Sequence, residues 1–143
     1  MVPTRTIALK RVYDEPAGSD GFRILVDRLW PRRLTKQEAR IDTWLRDLAP
    51  SNELRKWFHA HPERWQDFRQ RYLTELRTPS AVVALQKLYD VLDQEKVVSL
   101  LFASKQTERN NATVLKEIVE GVKKPPKGTG AGARAQVRKR ARG

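Results

Sequence analysis

The sequence predicts a small α/β domain, and three observations carry that prediction. Two short β-patterned runs open the chain, at about 6–13 and 22–27. A third run, 97–103, is almost wholly apolar, as a central strand is. The stretch between them and the segment after the third run repeat apolar residues at helical spacing. The order strands, helices, strand, helix is that of a single-domain, three-layer-like fold, with a short mixed or parallel sheet flanked by helices. A chain of 143 residues with 39% hydrophobic content fills one core and hardly two.

The elements follow in order. Alternation of Ile7, Leu9 and Arg11 with Ala8, Lys10 and Val12 marks the first strand, and Asp14 to Gly21 reads as a loop. Phe22 to Asp27 forms the second strand, stopped by Trp30-Pro31 because proline cannot donate to a ladder. The intervening loop is too short for a helical crossover, so the two strands are antiparallel neighbours, or parallel without a standard connection. Thr35 and Glu38 have the spacing of a capping box. Ser51 is a good N-cap for a helix whose Leu54, Trp57 and Phe58 share a face. Pro62 fits the first turn of the next helix, where Trp65, Phe68, Tyr72 and Leu76 recur at core spacing. Ser80 to Asp93 continues the pattern through Leu85, Leu88 and Leu92. Val114, Leu115, Ile118, Val119 and Val122 make a last amphipathic helix.

Composition excludes several chemistries. There is no cysteine, so disulfides, thiol nucleophiles, iron–sulfur clusters and Cys-ligated zinc are ruled out. No apolar run is long enough to span a bilayer and the first residues lack a secretory pattern, so a cytoplasmic protein is expected. Of the 29 Lys and Arg residues eight lie in 123–143, which holds no acid. That leaves 21 against 17 acidic residues in the rest. The segment 123–143 is rich in Gly, Ala and Pro and poor in large apolar residues, so it is read as a disordered basic tail suited to polyanions, and 1–122 as the domain.

Chemistry is expected where strands end, since ligands of open α/β sheets bind there. Asp27-Arg28-Leu29-Trp30-Pro31-Arg32-Arg33 sets an acid, three guanidinium groups and an indole directly after a strand. Guanidinium forks suit phosphate or carboxylate, and an indole stacks on a base. Ser104 to Asn111 links the apolar strand to the last helix, whose N-terminus favours an anion. The structural alternatives are an Asp27–Arg28 ion pair with Trp30 in the core, and Asn110 or Asn111 as a helix cap. No glycine-rich phosphate loop is present. His59 and His61 lack a third metal ligand, and no metal site is predicted. A Mg2+ among Asp14, Asp20, Asp27 and Asp42 is not demanded by their spacing, so no cofactor is predicted. Ser104 has no histidine near it in sequence to form a triad.

Leu9 to Asp14, Asp20 to Arg32, Trp44 to Ser51 and Asn110-Asn111-Ala112 occur together in this order. In these blocks the chain resembles the YeaO-like proteins, a bacterial family whose domain is of unknown function (number four-eight-eight). The resemblance covers residues 5 to about 122. It implies a compact α/β fold and brings no activity. The family's signature residues fall at Arg11, Tyr13, Asp20, Asp27, Arg28, Trp30, Pro31, Arg32, Trp44, Pro50, Ser51, Asn110 and Asn111; Arg33 stands where the resemblance leads one to expect glycine.

Three functional readings follow. In the first, Arg28, Trp30, Arg32, Ser104, Lys105, Asn110 and Asn111 hold a phosphate-bearing ligand, a nucleotide or nucleic-acid segment, and the tail adds polyanion affinity. The second is a small hydrolase or transferase on a phosphorylated or nucleotide substrate, with Asp27 as general base or metal ligand and Arg28 steadying negative charge. The third is a partner-binding scaffold presenting Trp44 or Trp57. Oligomeric state is left open.

Overall fold

The computed structural model describes residues 6–121, and the basic segment 123–143 lies outside the described residues. Four strands, β1 (Thr6–Arg11), β2 (Phe22–Leu25), β3 (Thr43–Trp44) and β4 (Val97–Phe102), form one sheet in the order β1-β4-β2-β3. Every neighbouring pair is parallel. The first two strands are therefore parallel without a standard crossover, because β4 enters between them.

Alternation along the central strands divides the core. Ile24, Val26, Val98, Leu100 and Phe102 face the larger cluster, built with Leu54 of α2 (Asn52–Ala60), Phe68 and Tyr72 of α3 (Trp65–Glu75), Leu88 of α4 (Pro79–Gln94) and Leu115 of α5 (Asn111–Val119). Leu25, Leu101 and Val12 face a smaller cluster closed by Trp30, Leu34, Ile41 and Trp44. The segment supplying it includes the single-turn α1 (Lys36–Ala39). The layers are thus unequal: four helices cover one face, and a loop with one helical turn covers the other. β4 is apolar because it is sandwiched on both sides.

Local signals set the helix starts. Thr35 and Glu38 exchange both capping-box hydrogen bonds, and Ser51 Oγ accepts from the Leu54 N–H. Pro62 is not in the first turn of α3; it sits in the preceding turn, where the His61 and Arg64 N–H groups donate to Phe58 and His61 carbonyls. The two-residue β3 had no sequence signature, being too short to alternate. Gly21 has φ of 67°, and a Cβ there would meet the Val97 carbonyl oxygen at 2.2 Å, so only glycine admits β4 beside the entry to β2. Arg33 has φ of 65°, the left-handed region that glycine occupies freely. No helix among the described residues is long and apolar enough to cross a membrane.

Candidate functional site

All four strands run the same way, so their C-terminal ends share one edge of the sheet. The chain leaving β2 turns toward the smaller core, whereas the chain leaving β4 turns into α5 on the larger one. Adjacent strands whose continuations part to opposite faces leave a crevice between them, the usual ligand position in such sheets.

Asp27 stands in that crevice. Its Oδ2 accepts the Ala103 N–H at 2.8 Å and its Oδ1 accepts the Asn111 side-chain amide at 3.1 Å. The same amide donates to the Val26 carbonyl at 2.8 Å, and the Trp44 indole N–H donates to the Asp27 carbonyl at 2.7 Å. Burial pushes the Asp27 carboxyl above its ordinary value, against the opposing pull of the Ala103 N–H, the Asn111 amide and the Arg55 charge. The crevice is therefore laced shut by the chain's own donors, which join β2, β4, β3 and α5 at one point.

The other predicted site residues are placed as follows. Arg28 forms no ion pair with Asp27; its guanidinium donates to the Ala49 and Pro50 carbonyls at 3.0 and 3.2 Å and so braces the chain entering α2. Trp30 lies in the smaller core, edge-on to Trp44 with centroids 5.5 Å apart, and donates to the Leu34 carbonyl at 2.6 Å. Asn110 caps α5 through the Thr113 N–H, and its amide reaches the Gln106 carbonyl at 2.6 Å. Ser104 Oγ accepts from the Gln106 N–H at 3.0 Å. Arg32 and Lys105 are exposed. The structure brings Asp27 and Asn111 into contact, turns Arg28 away toward Ala49 and Pro50, and leaves Arg32 and Lys105 in solvent.

Three further contributors were not singled out from the sequence as parts of this edge. Arg11 clamps the loop after β4 by donating to the Ala103 and Ser104 carbonyls, both at 3.0 Å. Glu75 of α3 accepts from the Ser51 N–H and Oγ at 2.8 and 2.6 Å, supplying an anion at the start of α2. Tyr72 donates its hydroxyl to the Leu48 carbonyl, and burial holds its phenol well above the ordinary value. Each partner is 24 residues or more away in sequence, which is why spacing carried no signal.

The aspartates considered for a cation do not converge. Asp20 precedes β2 and contacts Lys10 and Arg23, whereas Asp27 follows β2, and Asp42 accepts the Arg23 N–H. His61 stacks on Trp57, with centroids 5.2 Å apart. Among the described residues no three His, Asp or Glu side chains group to hold a metal. Trp44 and Trp57 are both half-buried, the latter under the Arg71 guanidinium at 4.1 Å.

A family profile described as the inactive DUF488-N3 subclade matches residues 6–133. An uncharacterized protein of Mycobacterium tuberculosis is 38% identical over 121 residues, 85% of this chain and 99% of that protein. The uncharacterized protein YeaO of Escherichia coli is 42% identical over 109 residues, 76% of this chain and 92% of its own length. No solved structure matches the chain.

Proposed function

The chain belongs to the YeaO-like DUF488 family, and from that premise we propose that it is a non-catalytic binding domain for a phosphate-bearing ligand, a nucleotide or a nucleic-acid segment. The ligand is taken at the C-terminal edge of the sheet, and the basic segment after residue 122 adds affinity for polyanions. The observation that carries the reading is the division of labour at that edge. Both oxygens of Asp27 accept hydrogen bonds from Ala103 and Asn111, which gives the carboxylate a structural role in holding β4 and α5 to the exit of β2. The exposed cations Arg32, Arg33, Lys105 and Arg109 lie in the loops leaving β2 and β4 and have no ion-pair partner among the described residues. A subclade described as inactive is in keeping with such a site.

Anisotropy of a labelled single-stranded oligonucleotide against the full chain tests this reading. Replacing Lys105 and Arg109 by Gln should weaken binding several-fold and lower the salt slope by roughly 0.7 for each lost phosphate contact. An unchanged affinity and slope, with all binding lost when the eight basic residues of 123–143 become Gln, would assign binding to the tail alone.

A further inference from the structure

The two edges of the sheet are finished differently. β3 closes one edge with two residues, too few to template another strand. β1 forms the other edge with six residues in unbroken register from Thr6↔Val97 to Arg11↔Phe102. An open edge strand is normally blunted by a proline, a bulge or an outward lysine. β1 has no proline and no bulge, and Lys10 is drawn onto Asp20 at 2.9 Å.

The hydrogen bonds show which backbone groups this edge presents. Thr6 N–H donates to the Lys96 carbonyl and Val12 N–H to the Phe102 carbonyl, both at 2.8 Å. Because a strand alternates, the even-numbered residues face β4 and the odd-numbered ones face outward. The Arg11 carbonyl is taken by the Asp14 N–H at 3.0 Å. The N–H and C=O of Ile7 and Leu9 and the N–H of Arg11 therefore point away from the sheet, with no hydrogen-bond partner among the described residues.

We propose that β1 pairs antiparallel with β1 of a second copy about a twofold axis at Ala8, joining two sheets into one of eight strands. This register follows from the available groups. Two residues that each offer a donor and an acceptor, two positions apart, are satisfied when Ile7 of one copy opposes Leu9 of the other, giving four hydrogen bonds. A register centred on Leu9 would instead need the Arg11 carbonyl that Asp14 already occupies. Ala8 then faces its symmetry mate at the closest approach in an antiparallel pair, about 4.5 Å between Cα atoms, where a small side chain fits. Ile7 meets Leu9 on the helical face. α5 packs across both β1 and β4, so two strand spacings separate it from its mate, about 10 Å, the ordinary distance between packed helices. A twofold interface of this kind is closed and does not propagate into fibres.

Light scattering on the full chain after size exclusion, with residue-resolved amide exchange, tests the pairing. The expected mass is twice the 16.6 kDa of the chain. The Ile7 and Leu9 amides should exchange roughly a hundredfold more slowly than in an open edge, as protected as those of Ala8 and Lys10. Leu9→Pro should return the mass to that of one chain while keeping the fold, because its N–H is not used within the sheet. Ala8→Pro, which breaks a bond to β4, should unfold the protein. A single-chain mass at every concentration would overturn the proposal, including with slow Ile7 and Leu9 amides, which would mean that another segment covers the edge. A dimer whose Ile7 and Leu9 amides exchange fast would overturn it too, by placing the interface elsewhere.

Discussion

β2 is bracketed by two aspartates that meet burial in opposite ways. Asp20, at its entry, is surrounded by cations: Lys10 bonds both carboxylate oxygens at 2.9 and 3.0 Å, Arg23 bonds one, and the Ala17 N–H adds another at 3.0 Å. Asp27, at its exit, receives only neutral donors, the Ala103 N–H and the Asn111 amide. Burial raises the pKa of both, but at Asp20 the hydrogen bonds from Lys10, Ala17 and Arg23 overcome it and hold the carboxyl below its ordinary value, while at Asp27 burial prevails. One end of the strand is held by charge, the other by dipoles, and the two ends should respond differently to substitution, acid and salt.

The largest effect is expected at the charged end. Arg23 is 4% exposed and its other donors are already committed to the Ala39 and Arg40 carbonyls. Asp20→Asn leaves that buried guanidinium, and Lys10 beside it, without a counter-charge. The loss should be about 3–5 kcal/mol in urea unfolding. A loss below about 1 kcal/mol would mean that water reaches the cluster and the contrast between the ends is false.

At the neutral end the effect is smaller. Asp27→Asn turns an amide group toward donors, so one of Ala103 N–H or the Asn111 amide loses its acceptor, for about 1–3 kcal/mol. The acid responses have opposite signs. Asp20, with its lowered pKa, contributes stability that is present above the ordinary carboxylate value and lost as pH falls through its folded value. Asp27, with its raised pKa, binds its proton more tightly in the fold. Acidification from its folded value down to the ordinary carboxylate value therefore adds stability. In unfolding measured against pH, Asp27→Asn should remove a gain in mild acid and Asp20→Asn a loss in stronger acid. Identical profiles for the two variants would break the comparison.

The neighbouring asparagines sharpen it further. Asn111→Ala strips Asp27 and the Val26 carbonyl of a shared donor and should cost about 1–3 kcal/mol while pushing the Asp27 titration higher still. Asn110→Ala removes the cap of α5, should cost about 1 kcal/mol, and should leave the Asp27 titration where it was. Carboxyl chemical shifts followed through pH separate the two outcomes.

These contrasts mark where sequence reasoning reached and where it stopped. The Thr35–Glu38 box, the Ser51 cap and the apolar run of β4 were legible because each is a local pattern with a local cause. β3 was not, since two residues show no period and its strand character comes from pairing with Ile24 and Leu25. At the site, Asp27 and Asn111 were legible as strand-end and helix-start residues, and their placement at the C-terminal edge follows from the parallel sheet. Their mutual contact spans 84 positions and no spacing encodes it. Asp20 read as a loop residue, and Arg23 was not singled out within the second strand. The gathering of Lys10 and Arg23 on Asp20 depends on β4 standing between β1 and β2, a topology that only the assembled sheet supplies.

The smallest expected effect concerns salt. The cations at Asp20 touch it and are largely buried, so added salt should leave its titration almost unmoved. The charge that favours ionised Asp27 is that of Arg55, an exposed residue of α2 acting through space with no hydrogen bond to the carboxylate among the described residues. Arg55→Gln should therefore raise the Asp27 titration slightly, with a stability change within about 0.5 kcal/mol, as for most surface substitutions. Salt at about 1 M, where the screening length falls to roughly 3 Å, should do the same to the unsubstituted protein and erase the difference between them. A shift on substitution that survives such salt would show that Arg55 reaches Asp27 by direct contact, and the exit of β2 would then be held by charge as its entry is.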